Sequence, residues 1–232
     1  MDQPDRVSWR DQAVKRSLER ARLRADDRVK RFLDAASELL NRKPGRDFTL
    51  QEVEERSGQT LHVFYQFFGG KHELLLAVFE ETVRSATEQI RHEIAQVSDP
   101  LECLHRFVVT YYWMCRTMEF DDGAHPGAPL GMAEFAQQVL TKHRKEAARV
   151  FSPIRDLFEE ALNEAIDAKA IRTEAGRSPI VGIVLEVIMF NIFSSTIGGR
   201  SLRPGERNSA EELWELILHG VSFPTISAPG ML

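Results

Sequence analysis

The chain has 232 residues, of which 43% are hydrophobic and 28% charged, the balance of a soluble globular protein able to bury a sizeable core. Its net charge of -5 speaks against a body coated all over in nucleic acid. Residues 1–71 carry 15 Lys and Arg against 12 Asp and Glu, whereas residues 72–232 carry 15 against 23, so a basic end sits on an acidic body. That asymmetry suits a protein that meets phosphates at one end only, although solvated helices are also locally basic.

Helical periodicity runs through the whole chain, and neither alternating strands nor internal repeats occur. Residues 1–26 are polar and partly basic, an arm that either stays loose or extends the first helix. From Val29 to Leu40 the residues Val29, Phe32, Leu33, Ala36, Leu39 and Leu40 share one helical face. Pro44 and Gly45 break that helix. Thr49 and Glu52 form a capping box that opens a short second helix, and Gly58 suits its left-handed end. A third short helix, about 59–67, ends at Gly69-Gly70, and Lys71 begins a long one running toward Val97. Asp99-Pro100-Leu101-Glu102 is a further helix start, with an Asp cap and Pro in the first helical position.

Residues 121–131 read as a loop. Helices are expected again over 132–140 and 142–168, with Ser152-Pro153 marking a kink or a new start. Ser178-Pro179 opens the most apolar helix, and Ser209-Ala210-Glu211-Glu212 caps the last one, to about His219. The reading is therefore an all-α fold of about nine helices: an arm over 1–26, a three-helix head over 27–75, and a larger helical domain over 76–232.

The apolar stretch from Ile180 to Ile197 is interrupted by Glu186, Asn191, Ser194 and Ser195, unlike a membrane span. No apolar signal-peptide core opens the chain. Cys103 and Cys115 lie on one expected helix, roughly 18 Å apart, too far for a disulfide. A reduced, cytoplasmic setting fits. The histidines show no metal-binding spacing, and no catalytic serine, P-loop or dinucleotide glycine pattern occurs, so neither an enzyme nor a cofactor is expected. Glu88 and His92, four apart, read as a solvated pair, and the two cysteines as small buried hydrophobes.

Two short helices joined by a glycine turn, after a longer amphipathic helix, describe a helix-turn-helix. Phe32, Leu39, Phe48, Leu50, Val53, Phe64, Phe68 and Leu74 would form its small core. The run Ser57-Gly58-Gln59-Thr60-Leu61-His62-Val63-Phe64-Tyr65-Gln66-Phe67-Phe68-Gly69-Gly70-Lys71-His72-Glu73-Leu74 resembles the recognition signature of the TetR family of transcriptional regulators. That signature is roughly A-G-[VI]-S-x-x-x-[LI]-Y-x-[HY]-F-x-[SN]-K-x-x-L. Gly58, Phe64-Tyr65, Phe68, Lys71 and Leu74 match it. Ser57, Gln59, Thr60, Phe67 and Gly70 depart from it, and Phe67 lacks the polar group of the usual His or Tyr. The motif covers about residues 28–79.

The resemblance implies a homodimeric cytoplasmic repressor that binds a double-stranded DNA operator and leaves it when a small molecule binds. The rival classes are an activator, or a helical small-molecule-binding protein without a DNA function. The DNA-facing candidates are Thr49, Gln59, Thr60, Leu61, His62, Val63, Tyr65, Gln66 and Lys71. His62 can read a base edge, Leu61 or Val63 can meet a thymine methyl, and Tyr65 and Lys71 can hold phosphates or simply pack and solvate the head. The arm, with Arg16, Arg20, Arg22 and Arg24, adds backbone or minor-groove contacts or is disordered. Phe107, Tyr111, Met114, Phe135, Phe158, Met189 and Phe190 are large adaptable side chains that line an apolar effector site or simply fill the core, with Glu186 as a polar anchor. The last two helices, through Val184, Ile188, Leu213, Trp214 and Ile217, are expected to build the dimer.

Overall fold

The computed structural model describes residues 8–42, 48–115, 135–136, 138–139, 142–171, 177–197 and 209–221. Eight helices occur among them, and no strand: α1 (Trp9–Arg42), α2 (Leu50–Ser57), α3 (Leu61–Phe64), α4 (Lys71–Ile94), α5 (Pro100–Cys115), α6 (Arg144–Asp167), α7 (Arg177–Ile197) and α8 (Ser209–Val221). The chain is all-α as expected. The expected helix over 132–140 lies largely outside the described residues, and so does the loop over 121–131. The fold divides into two units, Met1–Val78 and Phe79–Leu232.

In the first unit, α1 is already helical from Trp9, so residues 9–26 extend the first helix, one of the two alternatives for the polar segment, into a helix of 34 residues. Its far end buries Phe32, Ala35, Ala36, Leu39 and Leu40. Thr49 caps α2 as its sequence demands. Its hydroxyl accepts the Glu52 N–H at 3.2 Å while the Glu52 carboxylate accepts the Thr49 N–H at 2.8 Å. Gly58 ends α2 at φ 65°, a left-handed conformation open to glycine at no steric cost.

The head core is aromatic. Phe64 stacks edge-on against Phe32 at 5.4 Å and lies 5.3 Å from Phe68, and Val53 and Leu74 close around them. Leu50, expected in this core, is half-buried at the first position of α2. An ion pair of Arg56 with Glu38 joins α2 to α1.

In the second unit, the Asp99 carboxylate accepts the Glu102 N–H at 2.9 Å and starts α5. That helix packs against α6, α7 and α8. Phe107 and Phe158 meet at 4.9 Å where α5 crosses α6. α6 runs unbroken through Pro153. His105 Nε2 lies 2.7 Å from a Glu211 carboxylate oxygen, and its ring lies 5.2 Å from that of Trp214, tying α5 to α8. The buried Thr87 hydroxyl donates to the Val83 carbonyl at 2.7 Å, so it carries no desolvation penalty.

Candidate nucleic-acid interface and ligand chamber

α3 is one turn long because its ends are satisfied quickly. Thr60 is its cap, and its hydroxyl accepts the Val63 N–H at 3.4 Å. The Glu54 carboxylate, reaching over from α2, accepts the Leu61 N–H at 3.0 Å. Tighter turns carry the chain through Gln66 and Phe67 to Phe68. Three of the DNA-facing candidates are therefore engaged in building the turn. Thr49 and Thr60 cap helices, and Gln59 Nε2 donates to the Arg28 carbonyl at 2.8 Å.

His62, Tyr65 and Gln66 stand exposed on one side of the turn, with Leu61 and Val63 half-buried beside them. His62 Nε2 and Gln66 Nε2 lie 3.4 Å apart, so the two side chains present a joint polar edge. Tyr65 is 58% exposed, its ring resting on Phe64. Phe67 is half-buried and Phe68 belongs to the core. Lys71 is half-buried. Its Nζ donates to the Phe48 carbonyl and sits 4.4 Å from the centre of the Phe48 ring. That side chain pins the segment leading into α2, a role its sequence position did not suggest.

The second unit holds a chamber of about 460 Å³ between α5, α6 and α7. Tyr111, Phe151, Leu185 and Met189 give it apolar walls. Ala147, Ala148 and Gly182 leave the room, and Arg155 and Glu186 bring opposite charges. Among the described residues Glu186 has no ion-pair partner, and Arg155 reaches only Asp156, at 3.8 Å. Burial pushes the Cys115 thiol up to about 12 and raises Tyr111 well above the usual phenol range, so both stay protonated.

Of the expected effector residues, Tyr111, Glu186 and Met189 line this chamber. Phe107 and Phe158 are solid core, Phe135 is buried against Phe79 at 6.2 Å, Met114 is half-buried away from the chamber, and Phe190 is 40% exposed. Arg155 and the small residues went unnoticed, because a search for large side chains finds what fills space and not what leaves it empty.

The residues expected at a dimer surface divide in a similar way. Val184, Ile188, Leu213 and Trp214 are buried in the protomer's own core, and Ile217 is half-buried. The apolar surface left outward on α7 is Ile183, Val187 and Phe190, and on α8 it is Leu216, 68% exposed. Among the described residues no cluster of His, Cys, Asp and Glu could hold a metal ion, and no helix is long and apolar enough to cross a membrane.

Residues 32–78 match the family model of bacterial regulatory proteins of the tetR family. No curated protein matches the sequence significantly. Among solved structures, the chain is similar to the transcriptional regulator FadR from Bacillus subtilis in complex with stearoyl-CoA. The two are 14% identical with a TM-score of 0.64, over 83% of this chain and 98% of that one. It is also similar to Thermus thermophilus FadR, a TetR-family repressor in complex with lauroyl-CoA, at 20% identity and a TM-score of 0.60, over 88% and 100%. RolR in complex with resorcinol gives 15% identity and a TM-score of 0.63, over 87% and 91%. At these identities the likeness is one of fold.

Proposed function

We propose that this chain, which carries the TetR-family DNA-binding domain over residues 32–78, is a cytoplasmic homodimeric repressor released from a palindromic operator by a small, largely apolar effector. The observation that carries the DNA half is the capped one-turn α3, which offers His62, Tyr65 and Gln66 together on its exposed side. His62 reads a base edge, the methyl-bearing Val63 and Leu61 approach the groove floor, and Tyr65 donates to a phosphate. Lys71 adds charge nearby while its stem and ammonium hold Phe48.

Two copies related by a two-fold axis would bury Ile183, Val187, Phe190 and Leu216, an apolar surface that a monomer would leave in water. Such a dimer presents two copies of α3 to two half-sites, about 34–36 Å apart. The effector is assigned to the chamber of the second unit, whose volume falls within the range of about 300–1,000 Å³ typical of small-molecule sites. Its walls favour an apolar body, and Arg155 and Glu186 orient a polar end. FadR and RolR, in the complexes cited above, hold acyl-CoA thioesters and resorcinol, which makes acyl chains and phenols the first compounds to try. An effector acts by preferring the conformation whose heads fit the operator badly, and it weakens DNA binding by that difference in affinity.

The test is selection of duplexes from a random library by the full chain, followed by anisotropy titration and operator release with acyl thioesters, phenols and polar metabolites. A selected palindrome, released by an apolar compound that also raises the melting temperature, is the expected result. Failure to select any duplex removes the regulator reading, and release by polar metabolites alone removes the apolar effector. Leu216→Asp should give monomers with weakened operator affinity in sedimentation, and a wild type that is monomeric at micromolar concentration would end the dimer proposal.

A further inference from the structure

Residues Trp9 to Arg24 of α1 are all exposed except the half-buried Gln12. They carry Arg10, Lys15, Arg16, Arg20, Arg22 and Arg24 against Asp11 and Glu19, a balance of +4 within a chain of net charge -5. Arg16, Arg20 and Arg24 recur every four residues. They therefore form one stripe, about 12 Å long, that drifts only about 40° per step around the helix.

These three cations are not neutralised. Arg16 hydrogen-bonds the Gln12 side-chain oxygen at 3.4 Å, Arg24 Nε donates to the Arg20 carbonyl at 3.1 Å, and among the described residues none of the three meets a carboxylate. Several cations nearer the head do meet carboxylates. Arg22 pairs with Asp26 at 3.8 Å, Arg31 with Asp27 at 2.9 Å and Lys30 with Asp34 at 2.8 Å. The stripe is thus a run of guanidinium groups without carboxylate partners, on a helix where Arg22, Lys30, Arg31 and Arg42 have them.

Its place in the head gives it a direction. The hydrogen bond from Gln59 to the Arg28 carbonyl joins α1 to the residue just before Thr60, the cap of α3. The extension therefore leaves the head beside the entrance of the helix that faces the bases, and it runs about 28 Å from Arg28 back to Trp9. Each strand of duplex DNA carries one phosphate per about 3.4 Å of axis, so roughly three to four lie along a 12 Å stripe, a match for three arginines.

We propose that the N-terminal extension of α1 is a second DNA-contacting element, in which Arg16, Arg20 and Arg24 lie along the sugar–phosphate backbone flanking the site under α3. This rests on the DNA-binding reading given above and adds sequence-independent affinity to it. Val14 and Leu18 are exposed on the opposite side of the extension, and a basic amphipathic helix also suits an anionic membrane. The junction with α3 favours the duplex.

The experiment compares the full wild-type chain with the R16Q/R20Q/R24Q variant on the duplex that the wild type selects, at salt concentrations from about 0.05 to 0.4 M. All three positions are exposed, and equal circular dichroism verifies that the fold is retained. The expected result is an unchanged selected sequence, weaker binding, and a log–log salt slope shallower by about 3 units per protomer, about 0.9 for each arginine. Hydroxyl-radical protection should shrink at the flanks and persist at the centre, and R16K/R20K/R24K should restore the slope. A wild type that selects a duplex alongside a triple-glutamine variant of identical slope and footprint overturns the proposal and leaves the α3 reading intact. The same identity on DNA, with loss of binding to phosphatidylserine vesicles, overturns it in favour of a membrane. A wild type that selects no duplex removes both readings.

Discussion

The two units pack their large side chains alike but differ in the space they leave beside them. In the head, three phenylalanines close on one another within 5.3 to 6.1 Å and leave the short α3 no room to shift, while the polar groups of Thr49, Thr60 and Glu54 cap the helix ends. In the second unit the aromatics Phe107 and Phe158 are also packed solid, yet Ala147, Ala148 and Gly182 open a chamber of about 460 Å³ beside them. A reading head must hold its donors in place, so filled volume serves it. Under the proposed function the second unit must admit a ligand, and unfilled volume serves that.

The sharpest way to break this contrast is Phe64→Ala. Phe64 is fully buried and touches both Phe32 and Phe68, so its truncation should cost about 3–5 kcal/mol and abolish selective DNA binding. Calorimetry should still find the transition of the second unit. Binding within tenfold of wild type would mean that the head does not depend on its aromatic core.

A smaller effect belongs to the second unit and follows from pH. Unfolded, Cys115 ionises near its ordinary value of 9.0; folded, it keeps its proton to about 12. Between those values the unfolded chain has lost a proton that the folded chain retains, so stability is fully present below pH 9 and falls as pH rises. At pH 10 the loss from this thiol is about 1.4 kcal/mol. Denaturant titrations at pH 8 and 10 should therefore show a smaller decline for Cys115→Ala than for the wild type, and equal declines would refute the assignment.

Gly182 gives an effect of similar size and opposite sign. A Cβ placed there meets no atom within 4 Å, and glycine is costly inside a helix. Gly182→Ala should therefore stabilise α7 by about 0.5–1 kcal/mol. Gly182→Leu should fill the chamber instead, so that a compound which raises the wild-type melting temperature no longer does so, while operator binding persists. Persisting thermal stabilisation by that compound would place its site elsewhere.

The head was legible in the sequence because its determinants are local. A capping box at a three-residue offset, a glycine at a helix end and aromatics at helical spacing each carry their geometry with them. What escaped was Lys71, whose contact with Phe48 reaches back across the whole of α2 and α3, a separation that no periodicity describes. The chamber was legible only where large residues happen to border it, at Tyr111, Glu186 and Met189. Cavities are defined by missing atoms, and three small residues on two helices do not announce that they face one another. The apolar surface was harder still. α7 is apolar nearly all round, and sequence alone does not say that Val184 and Ile188 turn inward while Ile183 and Val187 turn out.

The smallest effect separates two residues that the recognition motif treats alike. Tyr65 is exposed, and among the described residues its hydroxyl has no partner, so Tyr65→Phe should leave stability unchanged. If that hydroxyl donates to a phosphate, the substitution should weaken binding to every duplex by about 0.5–1.5 kcal/mol, without altering the selected sequence. Lys71 has a second attachment within the head. Its ammonium holds the Phe48 carbonyl and lies over the Phe48 ring, so Lys71→Ala releases the segment that leads into the Thr49 cap. Lys71→Ala should therefore lower the melting temperature as well as flattening the salt slope by about one unit. Melting curves and salt titrations of the two variants, measured side by side, decide the matter. Equal melting temperatures would show that the Phe48 contact contributes nothing to the head, and an unchanged slope for Lys71→Ala would show that its charge is spent on the protein and not on the duplex.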